Sequence, residues 1–179
     1  MRIAVYCASD FGVNPIYAEA ASELGKWIAD SGNSLVYGGG EAGLMGVVAK
    51  EVFGAGKEVI GVVPGDVEFI KNRPQPYVTE LIISKNMSER KETMLGLADV
   101  FIALPGGIGT LDEISEAITL TKIGVFNKPC ILFNRNDFYK PLKDMLDAMS
   151  RDGFLPVDSM NHVLFSDDTD EIAEFVSTK

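Results

Sequence analysis

Short apolar segments alternate with longer amphipathic segments along this chain. The runs VFIAL at residues 100–104 and CILF at residues 130–133 are apolar throughout, as strands are when helices cover both faces of their sheet. The longer segments repeat apolar residues at three- and four-residue spacing, as Leu111, Ile114 and Ile118 do, which is typical of helices. Strands that alternate with helices in this way predict an α/β fold with a doubly wound parallel sheet.

The same pattern predicts where the individual elements lie. We expect strands at residues 2–7, 34–37, 58–63, 98–104, 130–133 and 163–165. We expect helices at residues 15–31, after Gly46 to about 55, and at 86–98, 111–125, 139–150 and 169–176. Residues 64–77 are predicted to be irregular, and residues 78–84 to form either a strand or part of a lid.

Residues that favour helix ends support these boundaries. Asn14 followed by Pro15 is a good N-cap and first-turn pair, and Gly32 is suited to closing the same helix. Either Asn86 or Ser88 caps the helix that precedes the strand at 98–104.

That strand runs directly into Pro-Gly-Gly-Ile-Gly-Thr, which predicts an anion site. Gly106, Gly107 and Gly109 let the backbone approach a ligand, the free N–H groups of the following helix point at it, and Thr110 adds a hydroxyl. Asp112 and Glu113 are expected in the first turn of that helix. Each could serve catalysis or could merely complement the helix dipole.

A second glycine-rich stretch follows the strand at 34–37. Gly38, Gly40 and Gly43 fit the G-x-G-x-x-G pattern of a dinucleotide site, and Asp66 could be the acid expected further on. Close packing of a helix explains Gly43 equally well. The loops after Cys7, Tyr37, Val63 and Leu104 should all meet at the carboxyl edge of the sheet, so we expect one composite nucleotide-like site there.

Length and charge exclude several classes of protein. The 179 residues predict a single domain, and 16 basic against 26 acidic residues argue against a nucleic acid or an anionic membrane as partner.

Cys7 and Cys130 lie in apolar runs and are typical of core residues in a reducing cytoplasm. The lone His162 argues against a histidine-based metal site, and residues 1–6 enter a strand too early for a signal peptide.

Positive charge for a phosphate must come from local groups in so acidic a chain. Arg90 and Lys91 lie in the helix before the central strand and are candidates for it, although mixed charges at a helix start are often only a solvated face.

Three motifs together resemble the Lonely Guy (LOG) family, whose members are cytokinin riboside 5′-monophosphate phosphoribohydrolases long mislabelled as lysine decarboxylases. The motifs are Gly-Gly-Gly-x-x-Gly-Leu-Met-Gly at 38–46, Met-x-x-Arg-Lys at 87–91 and Pro-Gly-Gly-x-Gly-Thr-x-Asp-Glu at 105–113. The resemblance covers nearly the whole chain. It implies a Rossmann-like homodimer that hydrolyses the N-glycosidic bond of adenosine monophosphate-type nucleotides. The chain departs from the usual family pattern at Ser88, Ile108 and Asp112.

The resemblance also implies roles for particular residues. Arg90 and Glu113 would be the catalytic pair. The substrate and its phosphate would be bound by a further set: Ser9, Gly39, Gly40, Lys91, Gly106, Gly107, Gly109, Thr110, Asp112 and Thr119. No cofactor and no metal are expected.

Three other functions compete with this prediction. A non-catalytic nucleotide or molybdenum-cofactor carrier would use the same loop without hydrolysis, and the presence of both Arg90 and Glu113 favours the enzyme over it. A pyridoxal phosphate decarboxylase would need a Schiff-base lysine that no motif indicates. A NAD-binding regulator rests only on the glycines at 38–43.

Overall fold

Within residues 1–71 and 75–179, the part of the chain that this computed structural model describes, seven parallel strands form one hydrogen-bonded sheet. The strands are β1 (Arg2–Tyr6), β2 (Ser34–Tyr37), β3 (Val59–Pro64), β4 (Glu80–Ser84), β5 (Val100–Ala103), β6 (Cys130–Phe133) and β7 (Val163–Ser166). The helices are α1 (Ile16–Asp30), α2 (Gly43–Gly54), α3 (Glu68–Lys71), α4 (Met87–Leu97), α5 (Ile108–Lys122), α6 (Lys140–Arg151) and α7 (Thr169–Ser177).

The order of the strands decides where a ligand can bind. They lie in the order β4-β3-β2-β1-β5-β6-β7, and every neighbouring pair is parallel. The chain therefore builds outward from β1 to β4 and then returns to the other side of β1 with β5. Ligands of such sheets bind beyond the carboxyl ends of the strands at this reversal. The predicted doubly wound α/β sheet is confirmed.

Helices cover both faces of the sheet. On one face α1, α2 and α7 bury Leu24, Val48 and Ile172. On the other face α4 and α5 bury Met94 and Ile114. This two-sided burial is the physical reason why the central strands are apolar without alternation.

Side chains and glycines set the helix ends as the sequence predicted. The Asn14 Oδ1 atom accepts the N–H of Ile16 at 3.1 Å, and Gly32 follows α1 with a positive φ of 73°. At the start of α4, Asn86 Oδ1 accepts the N–H of Glu89 at 3.0 Å. Asn86 is therefore the N-cap of α4.

The segment between β3 and α4 is more regular than predicted. Strand β3 continues through Pro64, and α3 forms a short helix where irregular chain was expected. Residues 72–74 of the predicted irregular segment lie outside the described residues. Strand β4 pairs with β3 from Glu80 to Ser84, so these residues form a strand and not part of a lid.

Helix α5 begins earlier than its apolar periodicity suggested. Its N-cap is Gly107, so Asp112 and Glu113 lie in the second turn and the first turn holds no acidic residue. The prediction that they lie in the first turn is wrong, because the glycine segment itself enters the helix. Stabilisation by the helix dipole falls off within the first turn, and it therefore does not explain these carboxylates. The helix also ends at Lys122, before the predicted end at residue 125.

Candidate active site

A cavity of about 450 Å³ opens at the reversal point of the sheet, beyond the carboxyl ends of β1 and β2. Loops after β1, β2 and β5 and the segment after β3 all contribute to it, so the expectation that they meet is confirmed. Its lining includes Tyr6, Cys7, Ser9, Asp10, Gly38, Gly39, Gly40, Met45, Ile70, Met87, Arg90, Gly107, Gly109, Thr110 and Glu113. The volume suits a small ligand.

One end of the cavity is built to hold an anion. The first N–H groups of α5 have no carbonyl partner within the helix, and no side chain of residues 1–71 or 75–179 caps them. A Cβ atom added at Gly107 or Gly109 would meet no described residue within 4 Å, so the space above these glycines is open to a ligand as far as the structure describes the chain. Gly106 lies so close to Thr110 that a Cβ there would collide with the threonine side chain. The loop therefore presents free N–H groups and the buried Thr110 to the cavity.

Arg90 and Glu113 form a closely packed ion pair in the cavity wall. The Nη1 atom of Arg90 lies 2.6 Å from Oε1 of Glu113, and the two side chains are only 9% and 12% exposed. The Nε–H of Arg90 donates to the carbonyl oxygen of Val62 at 3.0 Å, which fixes the guanidinium against the end of β3. Helices α4 and α5, which approach the sheet from the same face, thus bring the two predicted catalytic residues together.

The environment of Glu113 favours its neutral form more than water does. Burial is the largest influence and raises the pKa of Glu113 above its ordinary value, while the positive charge of Arg90 opposes this change. Burial also raises the pKa of Tyr6 and of Cys7, which line the cavity from β1, so both stay protonated near neutral pH. Glu113 is therefore a buried, strongly oriented carboxyl group.

Lys91 lies away from the predicted phosphate contact. Its Nζ atom is 2.9 Å from Oδ2 of Asp112 and 2.9 Å from Oε2 of Glu116. Neither Lys91 nor Asp112 is among the described residues that line the cavity. The structure thus brings both residues together on the outer side of α5.

Thr119 also lies outside the cavity lining of the described residues. It is exposed, and its hydroxyl donates to the carbonyl oxygen of Ser115 at 2.7 Å within α5. Of the remaining predicted binding residues, Ser9, Gly39, Gly40, Gly107, Gly109 and Thr110 line the cavity, whereas Gly106 is not among the described lining residues.

Several lining residues were not predicted from the sequence. Asp10 follows Ser9 in the loop after β1, and its position beyond a strand end was the signal that could have identified it. Met45, Ile70 and Met87 supply apolar surface, and they were not recognisable because methionine and isoleucine are ordinary core residues.

Two glycines of the G-x-G-x-x-G pattern, Gly38 and Gly43, serve close packing. A Cβ at Gly38 would lie 2.5 Å from Nη2 of Arg90, and one at Gly43 would collide with the backbone of Ser9 and Asp10. Gly43 also has a positive φ of 59°. Asp66, the acid that a dinucleotide site would need, is exposed and is not among the described lining residues.

Within the described parts of the chain, no cluster of three or more histidine, cysteine, aspartate or glutamate side chains could hold a metal ion. No helix in those same ranges is long and apolar enough to cross a bilayer. Both cysteines are buried free thiols, and burial raises the pKa of Cys130 to about 12.

Comparisons with known proteins agree with the motifs around the cavity. The sequence model of a family described as "Possible lysine decarboxylase" matches residues 45–176. The cytokinin riboside 5′-monophosphate phosphoribohydrolase LOG of Oryza sativa subsp. japonica is 42% identical over 163 residues, which are 91% of this chain and 67% of that protein. The chain belongs to the LOG family.

A bacterial LOG-family relative gives the same result. The cytokinin riboside 5′-monophosphate phosphoribohydrolase of Rhodococcoides fascians is 37% identical over 166 residues, which are 93% of this chain and 84% of that protein. The molybdenum cofactor binding protein from Rippkaea orientalis shares the fold with a TM-score of 0.72, covering 99% of this chain and 95% of that one. At 23% identity this second likeness concerns the fold alone.

Proposed function

We propose that this protein hydrolyses the N-glycosidic bond of nucleoside 5′-monophosphates of the adenosine type, including cytokinin riboside 5′-monophosphates. Water adds to C1′ of the ribose, the bond from C1′ to the base nitrogen breaks, and the base leaves with a proton as ribose 5-phosphate forms. The observation that carries the proposal is the buried Arg90–Glu113 pair, which lies in the same cavity as an uncapped helix N-terminus.

The 5′-phosphate binds at the start of α5 in this proposal. Unpaired N–H groups, the helix dipole and the hydroxyl of Thr110 all favour an anion there. The acidic balance of the whole chain makes these local donors necessary. Phosphate bound at that end directs the ribose toward Glu113 on the next turn of the same helix.

Glu113 acts on the ribose carbon where positive charge develops. A carboxylate stabilises an oxocarbenium-like transition state, and it can also orient the attacking water or hold a ribose hydroxyl. Arg90 opposes the effect of burial on the pKa of that carboxylate and holds it in place, because the guanidinium is bonded to Val62 on one side and to Glu113 on the other.

The base then lies in the rest of the cavity, along Met45, Ile70 and Met87. Their side chains suit the flat face of a purine. Asp10 is the carboxylate besides Glu113 among the described lining residues. As an acceptor it matches an exocyclic amino group of the base.

A carrier that binds its ligand without hydrolysis is the alternative, because the fold is shared with molybdenum cofactor binding proteins. A decarboxylase is disfavoured, since no lysine occurs among the described lining residues to form a Schiff base. The deciding experiment is a panel of nucleoside monophosphates assayed for free base and ribose 5-phosphate. Equal amounts of both products from AMP support the proposal, and tight binding without products supports the carrier.

We further propose that the chain forms one domain and a cytoplasmic homodimer. Ile123 and Val125, just after α5, are 63% and 58% exposed, and Ile108 at the start of the helix is 82% exposed, which leaves apolar surface for a second copy. Leu120, in contrast, is half-buried against the core. Light scattering at micromolar concentration should give the mass of two chains, and a monomer would contradict the dimer.

The two free thiols support the proposed cytoplasmic location, because cysteines stay reduced in that compartment.

A further inference from the structure

We propose that Lys91 is a positioning residue that fastens α5 to α4 beside the reacting groups, and that it does not bind the substrate phosphate. The expected effect of Lys91 on turnover rests on the proposed hydrolase function. The sequence motif alone suggested the opposite role, since Lys91 follows Arg90 directly and could have supplied positive charge to an anion.

Both carboxylates that form ion pairs with the Lys91 ammonium lie on α5. Asp112 and Glu116 are four residues apart and hence on the same side of that helix, one turn from each other. Each carboxylate lies 2.9 Å from Nζ, and the lysine side chain is only 21% exposed between them. The two carboxylates offset the positive charge of the ammonium, so this group offers little attraction to a phosphate. Lys91 is also not among the described residues that line the cavity.

The two ion pairs that link α4 to α5, Arg90–Glu113 and Lys91–Asp112, lie side by side. Arg90 and Lys91 are neighbours on α4, and their partners Glu113 and Asp112 are neighbours on α5. Arg90 is already anchored to the sheet through Val62, so the α4 side of the pair is fixed. Lys91 fixes the α5 side, which keeps the Glu113 carboxylate 2.6 Å from the guanidinium.

The bridge also sets the charge around Glu113. Burial raises the pKa of Glu113 most, the positive charges of Arg90 and Lys91 on α4 lower it, and Asp112 on its own helix raises it further. Tyr6 at the end of β1 and Cys7 just after it approach as neutral groups, and Glu116 is a further ionisable residue on α5. Without Lys91, the charges of Asp112 and Glu116 would stand uncompensated next to the site, and protonated Glu113 would be favoured.

Substitution of Lys91 by methionine separates positioning from phosphate binding. We expect Lys91→Met to lower kcat for AMP by about 3- to 30-fold, the range found when a coupling residue that touches no ligand is removed. The inhibition constant of ribose 5-phosphate should stay near the wild-type value. Lys91→Arg should restore most of the activity, because it keeps the charge and can reach both carboxylates. Lys143→Met is the matched control, since Lys143 forms an ion pair of the same 2.9 Å length with Asp147 within α6.

A titration that needs no turnover completes the test. In protein labelled with ¹³C at glutamate carboxyl groups, the pKa of Glu113 should rise in Lys91→Met and fall in Asp112→Asn. If Lys91 binds the phosphate instead, Lys91→Met will bind ribose 5-phosphate more weakly and the pKa of Glu113 will stay unchanged. That result would overturn the proposal. Wild-type activity with an unchanged titration in Lys91→Met would overturn it as well. If wild-type protein cleaves no nucleotide, the proposed function fails on its own, and the titration still decides what Lys91 does to Glu113.

Discussion

Gly38 and Arg90 share one small volume at the floor of the cavity. A Cβ atom on Gly38 would lie 2.5 Å from Nη2 of the guanidinium, so the absence of a side chain at the end of β2 makes room for the arginine. The guanidinium cannot easily retreat, because its other nitrogens are bonded to Val62 and Glu113. The glycine that resembled part of a dinucleotide fingerprint is thus explained by its packing against the proposed catalytic pair.

Gly38→Ala should therefore reduce activity more than stability. The methyl group must push the end of the arginine side chain aside, and a displacement of about 1 Å at such a site costs on the order of 100-fold in rate. Turnover of AMP and thermal unfolding measure the two effects. Gly96→Ala is the control on α4, where a Cβ would meet no described residue within 4 Å. That variant should keep full activity and gain about 0.5–1 kcal/mol in free energy of unfolding. Equal turnover of the two variants would show that the position of the guanidinium does not matter.

Glu113→Gln should abolish most turnover and leave the fold intact. The amide has nearly the same shape and its oxygen still accepts from Arg90, but it cannot stabilise positive charge on the ribose. We expect a loss of about 10²- to 10⁴-fold in kcat, typical of an acid–base group, with little change in AMP affinity. Single-turnover assays and calorimetric titration with AMP measure these quantities. A variant that turns over like the parent would remove Glu113 from the mechanism.

Hydrolysis should require the 5′-phosphate, so adenosine should be a poor substrate. Each buried donor left without a partner costs about 1–3 kcal/mol, and several are lost together when the phosphate is absent. Gly107→Ala should lower the ratio of kcat/KM for AMP to that for adenosine, because the new methyl group would occupy the open space above the loop where the phosphate binds. Thr110→Ala should lower the same ratio, because it removes the hydroxyl that contacts the phosphate.

The specificity constants for AMP and adenosine, measured on wild type and both variants, test this prediction. Part of the loss on adenosine should appear in kcat, since binding energy from the phosphate positions the ribose. Comparable constants for the two wild-type substrates would mean that the glycine loop is only a turn.

Asp10 should favour bases that carry an exocyclic amino group. Its carboxylate can accept a hydrogen bond from the 6-amino group of AMP but is opposed by the 6-oxo group of IMP. We expect Asp10→Asn to lower the AMP-to-IMP ratio of kcat/KM by about 10-fold or more, the range found for unmatched polar groups. Ser9→Ala is the neighbouring comparison and should leave that ratio unchanged. If both variants keep the wild-type ratio, the base is recognised elsewhere.

The site motifs were predictable because they depend on local chain geometry. The run from Pro105 to Thr110 can form an anion loop wherever a strand leads into a helix, and the sequence shows both. The start of α5 was placed too late, because its first turn, which begins Ile108-Gly109-Thr110, carries too little of the apolar periodicity that marks the rest of the helix.

The sequence by itself determined the α/β class, the buried strands and the set of loops that meet at one edge, because alternation and strand-end position are local properties. Only the tertiary structure decided the partners of the charged side chains. Arg90 and Lys91 are adjacent in sequence, yet one turns into the cavity toward Glu113 and the other turns to Asp112 and Glu116. Successive residues on a helix point in directions about 100° apart, so the packing of α4 against α5 selects which cation faces the cavity.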